Sequence, residues 1–191
     1  MTLFDCVEIL ICIGLYIPLD TQILRGTVVQ SLATWGLWAL LDGIATASIV
    51  YQHGNFTAVA IYTCGGVATS LCILKSKKFE WKWFEGVVAA TAVICMIVWA
   101  ISGARNATIA STTAVMIAGG PQIRDAYRKP WESSLVTWIG FLVVNILATI
   151  QGKSWTVEER LYPVACTILC FVILMFTAQK LWIPQPVVEK K

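Results

Sequence analysis

The chain has 191 residues, of which 58% are hydrophobic and 13% charged, where ordinary soluble domains carry about a quarter charged residues. It is too apolar to hide its surface in water, which sets aside the soluble globular classes. A net charge of only +3 gives no reason to expect nucleic acid as a partner.

Taken in order, the sequence predicts seven membrane-spanning helices. Runs of about 20 mostly apolar residues cross a bilayer, and helices satisfy their own backbone there. The spans cover about 3–18, 31–51, 55–74, 83–103, 107–123, 134–151 and 161–182, with ends good to a few residues. The opening Met1-Thr2-Leu3-Phe4-Asp5 lacks a basic leader and a small-residue cleavage site. No removable signal peptide is expected, and the first apolar run is retained as a helix. The cysteines lie mostly inside apolar runs (Cys12, Cys64, Cys72, Cys95, Cys166, Cys170), form no Cys-x-x-Cys pair and accompany a single His. They read as soft packing residues, so neither metal nor disulfide framework nor cofactor is expected.

Orientation follows from where Lys and Arg fall. With the N-terminus outside, eleven of them lie on the inner side and three, Arg105, Lys153 and Arg160, on the outer side. This bias predicts an integral membrane protein with a cytoplasmic C-terminus. Whether the membrane is a bacterial inner membrane or an organellar one is left open.

The chain also contains itself twice. Residues 18–46 and 121–149 align without a gap at a constant offset of 103 (121 − 18). Pro18/Pro121, Arg25/Arg128, Ser31/Ser134, Leu32/Leu135, Thr34/Thr137, Trp35/Trp138, Ala45/Ala148 and Thr46/Thr149 are identical. Trp38/Phe141 and Asp42/Asn145 are close replacements. The predicted organisation is a three-helix unit over 1–76, a linker helix within 77–106, a second three-helix unit over 107–182 and a short cytoplasmic tail over 183–191. The odd linker helix lets both units point the same way, so that they pair about an axis along the membrane normal with a cleft between them.

Asp42 lies eleven residues beyond Ser31, hence about 16 Å along a helix at 1.5 Å per residue. That is near the middle of a hydrocarbon core about 30 Å thick. A charged Asp there costs about 2.5–3.5 kcal/mol on insertion scales, so it should be neutral, wet or paired. Asn145, its repeat mate, is the expected partner across the twofold axis. The two make a candidate proton-linked solute site with Asp42 as the proton-coupling group; the bland alternative is a carboxyl that fastens helices together. Trp35, Asp42 and Thr46 share one helix face, and Trp138, Asn145 and Thr149 repeat it. Trp35 and Trp138, with Trp38 beside them, could wall a pocket or merely belong to an interfacial aromatic belt. Pro18 and Pro121 each follow an apolar run, where proline removes a backbone donor and disfavours helix before it. Both read as helix ends that open short polar loops.

Pro121-Gln122 at the inner end of a span, then a short basic loop and Ser-Leu-x-Thr-Trp, resembles the PQ-loop superfamily, which includes the SWEET and SemiSWEET sugar transporters. The first copy departs from it, reading Pro18-Leu19. The resemblance implies an all-helical fold of three plus one plus three helices. It implies alternating access to a small polar solute, with Pro18, Pro121 and Gln122 as gate and hinge residues. It further implies that Tyr62, Thr63 and Thr69 on the third span, and Tyr162, Pro163 and Thr167 on the seventh, face the cleft. The expected function is a transporter or facilitator of a sugar, amino acid or vitamin-like metabolite. The alternative is a receptor or scaffold on the same fold, against which the short tail weighs; no enzyme is expected. Expected partners are a small polar solute, protons through Asp42 and the surrounding membrane lipid, with self-association into a homo-oligomer left open.

Overall fold

The computed structural model describes residues 2–26, 30, 32–76, 83–128 and 130–182. Ser31, the basic loop 77–82 and the tail 183–191 lie outside the described residues, as does the side chain of Pro121. The described residues form helices, turns and loops with no strand among them. In chain order the helices are α1 (Leu3–Leu24), α2 (Leu32–Tyr51), α3 (Thr57–Ser76), α4 (Trp83–Ala118), α5 (Gly120–Arg128), α6 (Leu135–Gln151) and α7 (Tyr162–Ala178). Among the described residues, three helical stretches are long and apolar enough to cross a membrane: Thr57–Ser76, Val93–Arg128 and Val157–Leu181. α6 is a shorter apolar helix. Large apolar side chains point outward along the bundle. Leu10, Ile17, Ile101, Val136 and Ile150 are each more than 60% exposed, a surface that water alone does not favour.

The helix ends show why these residues start and stop where they do. Thr2 caps α1 through a capping box: its hydroxyl accepts from the Asp5 N–H at 3.2 Å, and the Asp5 carboxylate accepts from the Thr2 N–H at 2.5 Å. Ser134 caps α6 by accepting from the Thr137 N–H at 3.3 Å. The far end of α6 has its orphan carbonyls covered by one side chain. Arg160 donates to the carbonyls of Thr149 (2.8 Å), Gly152 (2.5 Å) and Ser154 (3.0 Å), and its guanidinium lies over the Trp155 ring at 4.2 Å.

Two expectations need correcting. Pro18 does not end the first helix: α1 runs through it to Leu24. Proline's fixed φ suits a helix, and the loss is one hydrogen bond to Gly14, with ring crowding against the same residue. Gly14 has open space around it, and the Thr21 hydroxyl donates to the Ile17 carbonyl at 2.7 Å on the next turn. Pro121 likewise opens no loop; it lies in the first turn of α5, where proline is tolerated. The fourth and fifth expected spans, moreover, are not separated by a loop. They abut within α4, which is broken only at Gly103 (φ 81°, ψ 175°), a conformation open to glycine and strained for other residues.

α2 packs against α3 and α4, α1 against α3 and α6, α6 against α7, and α5 against α7. Glycines set the closest approaches. A Cβ on Gly65 of α3 would lie 2.2 Å from the Tyr16 ring of α1, and one on Gly140 of α6 would lie 2.6 Å from Leu15. At Gly119, 103 residues after Tyr16, a Cβ would meet Leu169 of α7 at 2.6 Å. At the first contact the bulky group is Tyr16 of α1 and the small one is on α3; at Gly119 the bulky group is on α7.

Candidate functional site: a shared central cavity

α2 and α6 each present an aromatic pair followed by one polar residue, and these faces converge on one cavity. Its volume is about 70 Å³. Trp35, Trp38 and Asp42 line it from α2, Trp138, Phe141 and Asn145 from α6, Tyr62 from α3 and Tyr162 from α7. All seven solute-binding candidates read from the sequence therefore meet around one space. Tyr16 and Gly66 join them, with Cys166, Leu169 and Cys170 on α7 and Val115 on α4.

The polar partners differ from expectation. Asp42 is 5% exposed, and its Oδ1 accepts a hydrogen bond from the Tyr162 hydroxyl at 2.5 Å. Asn145, 2% exposed, turns its amide donor to the Phe141 carbonyl (2.8 Å) and to Cys170 Sγ (3.7 Å). Asp42 is thus paired with the phenol of Tyr162 on α7 and not with Asn145, although both line the cavity. Three polar atoms on lining residues are buried with no partner: Trp38 Nε1, Tyr62 OH and Asn145 Oδ1. Buried polar atoms are usually satisfied. The lining carries one carboxylate and, among the described residues, no Lys, Arg or His.

A wider space of about 330 Å³ lies on the Pro18 side. It shares Trp35, Trp38, Trp138 and Phe141 with the inner cavity and adds Pro18, Gln22, Gln30, Gln122, Ser133 and Thr137. Gln22 and Ser134 in its wall are exposed, so this vestibule reaches the surface. The gate candidates Pro18 and Gln122 stand here and not at the inner cavity. Between the two spaces lie rings in edge-to-face contact: Tyr16–Trp35 at 6.2 Å, Tyr16–Phe141 at 5.6 Å, Trp35–Trp38 at 5.6 Å and Trp138–Phe141 at 6.0 Å, the last tilted. Each tryptophan that opens a repeat is anchored alike. Trp35 Nε1 donates to Gln30 at 3.2 Å and Trp138 Nε1 to Ser133 at 3.0 Å, and Gln30 and Ser133 are themselves 103 apart. At the opposite end, Gln151 of α6 donates to the fully buried Glu8 of α1 at 2.6 Å.

The expected threonines take other partners. Thr46 and Thr63 bond each other at 3.1 Å, Thr69 donates to Asp20 at 2.7 Å, Thr149 to the Asn145 carbonyl at 2.8 Å and Thr167 to the Pro163 carbonyl at 2.8 Å. Cys166, Leu169 and Cys170 follow Tyr162 at i+4, i+7 and i+8, the helical spacing that would have placed them on its face. Tyr16 lies just outside the aligned repeat, where only a span-1 face argument could have found it. Compared with known proteins, the chain matches no family model, no curated protein and no solved structure.

Proposed function

We propose that this protein is an alternating-access transporter or facilitator of a small polar metabolite, built in the PQ-loop and SWEET-like manner. In this reading α1–α3 form one unit and α4 up to Gly103 is the linker helix. The rest of α4 with α5 forms the first helix of the second unit, followed by α6 and α7. The continuation of helix beyond both prolines, to Leu24 and to Arg128, supports that equivalence. So do the pairing of α1 with α6 and the hydrogen bond from Gln52, at the end of α2, to Thr108, beyond Gly103, at 3.0 Å.

The observation that carries the reading is the convergence of both repeats on one buried, polar-tipped aromatic cavity beneath an open vestibule. A site near mid-depth, at the interface of two repeats, is where secondary transporters hold solutes. The ring layer between the spaces supplies a gate, and Asp42 is the group whose protonation would link solute to protons. The test is uptake of radiolabelled sugars, amino acids, amines and vitamins into proteoliposomes, with and without a pH gradient. One class should equilibrate or accumulate, and Asp42→Asn should alter its pH dependence. A protein that binds a solute without moving it would be a receptor on this fold, and the transport reading would fall.

A further inference from the structure

Deepening the transport reading, on which it rests, we infer that the solute is a small organic cation without a carboxylate: an amine or ammonium, not a sugar or an amino acid. The charge of the lining is the first argument. Asp42 is the one ionisable acid there, and among the described residues no Lys, Arg or His lines either the cavity or the vestibule. An amino acid's carboxylate would be buried beside Asp42 with no cation to meet it, an arrangement that desolvation and like-charge repulsion both oppose.

Ring geometry is the second. The aromatic pairs around the cavity have planes set at 58° to 82° to each other: Trp138–Phe141 at 58°, Tyr62–Phe141 at 81° and Trp35–Trp38 at 82°. The rings therefore bound the cavity in several orientations. A rounded ammonium head is held well by surrounding ring faces, whereas a sugar stacks best on one flat plate. The third argument is the unmet hydrogen bonding. Asn145 Oδ1 is a buried acceptor without a donor, and it lines the same cavity as Asp42. An ammonium that carries several N–H groups has a donor for each. Trp38 Nε1 and Tyr62 OH, also unpartnered, suit a hydroxyl or a water carried beside the cation.

The experiment measures binding to the purified full chain in detergent by tryptophan fluorescence and thermal shift. The probes are ethanolamine, tetramethylammonium, glucose, alanine and arginine; uptake of the same radiolabelled compounds into proteoliposomes follows. The two cations should bind, ethanolamine the tighter because tetramethylammonium has no N–H for Asn145 Oδ1, and the other three should not compete. Asp42→Asn should weaken amine binding by about tenfold or more, and Trp35→Phe by about two- to fivefold, the share expected of one cation–π face. Trp35→Phe keeps a ring in place, so its effect is readable even where Asp42→Asn expresses poorly. Amines that bind and are taken up support both inferences. Amines that bind but are not taken up keep the cation site and remove transport. Uptake of glucose or alanine in preference to amines, amine affinity indifferent to both variants, or failure of every probe to bind overturns the cation inference.

Discussion

The two repeats share a frame and differ in one charge. Each sets a tryptophan on its second helix, anchors the indole N–H to a residue five positions earlier, and places a polar side chain seven residues further on. In the first half that side chain is Asp42, bonded across the cavity to Tyr162 of the other half. In the second it is Asn145, whose donor is spent on its own helix and on Cys170. The two faces thus build one cavity, and Asp42 is the one carboxyl in its lining. A second carboxylate would have doubled the desolvation cost at the same depth.

Making the halves alike in the acidic direction should do the most damage. Asn145→Asp puts a second carboxyl in the cavity and should cost about 2.5–3.5 kcal/mol of stability, seen as a lowered unfolding temperature in detergent. An unchanged temperature would mean that the site is wetter than its burial implies. Removing the bridge between halves comes next. Tyr162→Phe leaves Asp42 buried without its donor and should destabilise by about 1.5–3 kcal/mol, the range for a hydrogen bond to a charged group. Equalising in the neutral direction, Asp42→Asn should slow uptake about tenfold, some 1.4 kcal/mol, and flatten its pH profile. Uptake assayed across pH 5 to 8 distinguishes this from a simple loss of protein. Smallest should be Trp35→Phe and Trp138→Phe, each losing one side-chain hydrogen bond worth about 0.5–1.5 kcal/mol. Equal effects on stability would support equivalent halves, and a strongly one-sided result would break the comparison.

Much of the site could be read from residues alone because its logic is helical and repetitive. Trp35, Trp38 and Asp42 fall on one face at fixed spacing, and the 103-residue offset carries that face to Trp138, Phe141 and Asn145. The partner of Asp42 could not be read this way. Symmetry favours Asn145, but side-chain direction and reach decide for Tyr162, and those depend on how α7 packs. Both prolines misled for a related reason. Their local rule says that a helix ends, yet Pro18 forgoes one bond in a helix held by Gly65 and Gly140 on either side. Gly103 gave the opposite problem: a single residue replaces the loop expected between two spans. The tie between Glu8 and Gln151 joins residues distant in sequence, and the Arg160 cap on α6 reaches back across a loop, through side-chain contacts that periodicity does not register.

The most direct test of the shared cavity moves the charge instead of removing it. In the double variant Asp42→Asn with Asn145→Asp, the carboxyl passes to the other half at the same depth. If both repeats face one space, the double variant regains pH-dependent uptake lost in Asp42→Asn, within about threefold of the parent, or about 0.6 kcal/mol. A double variant that folds as well as the parent yet stays as slow and as pH-insensitive as Asp42→Asn would contradict a cavity common to the two halves.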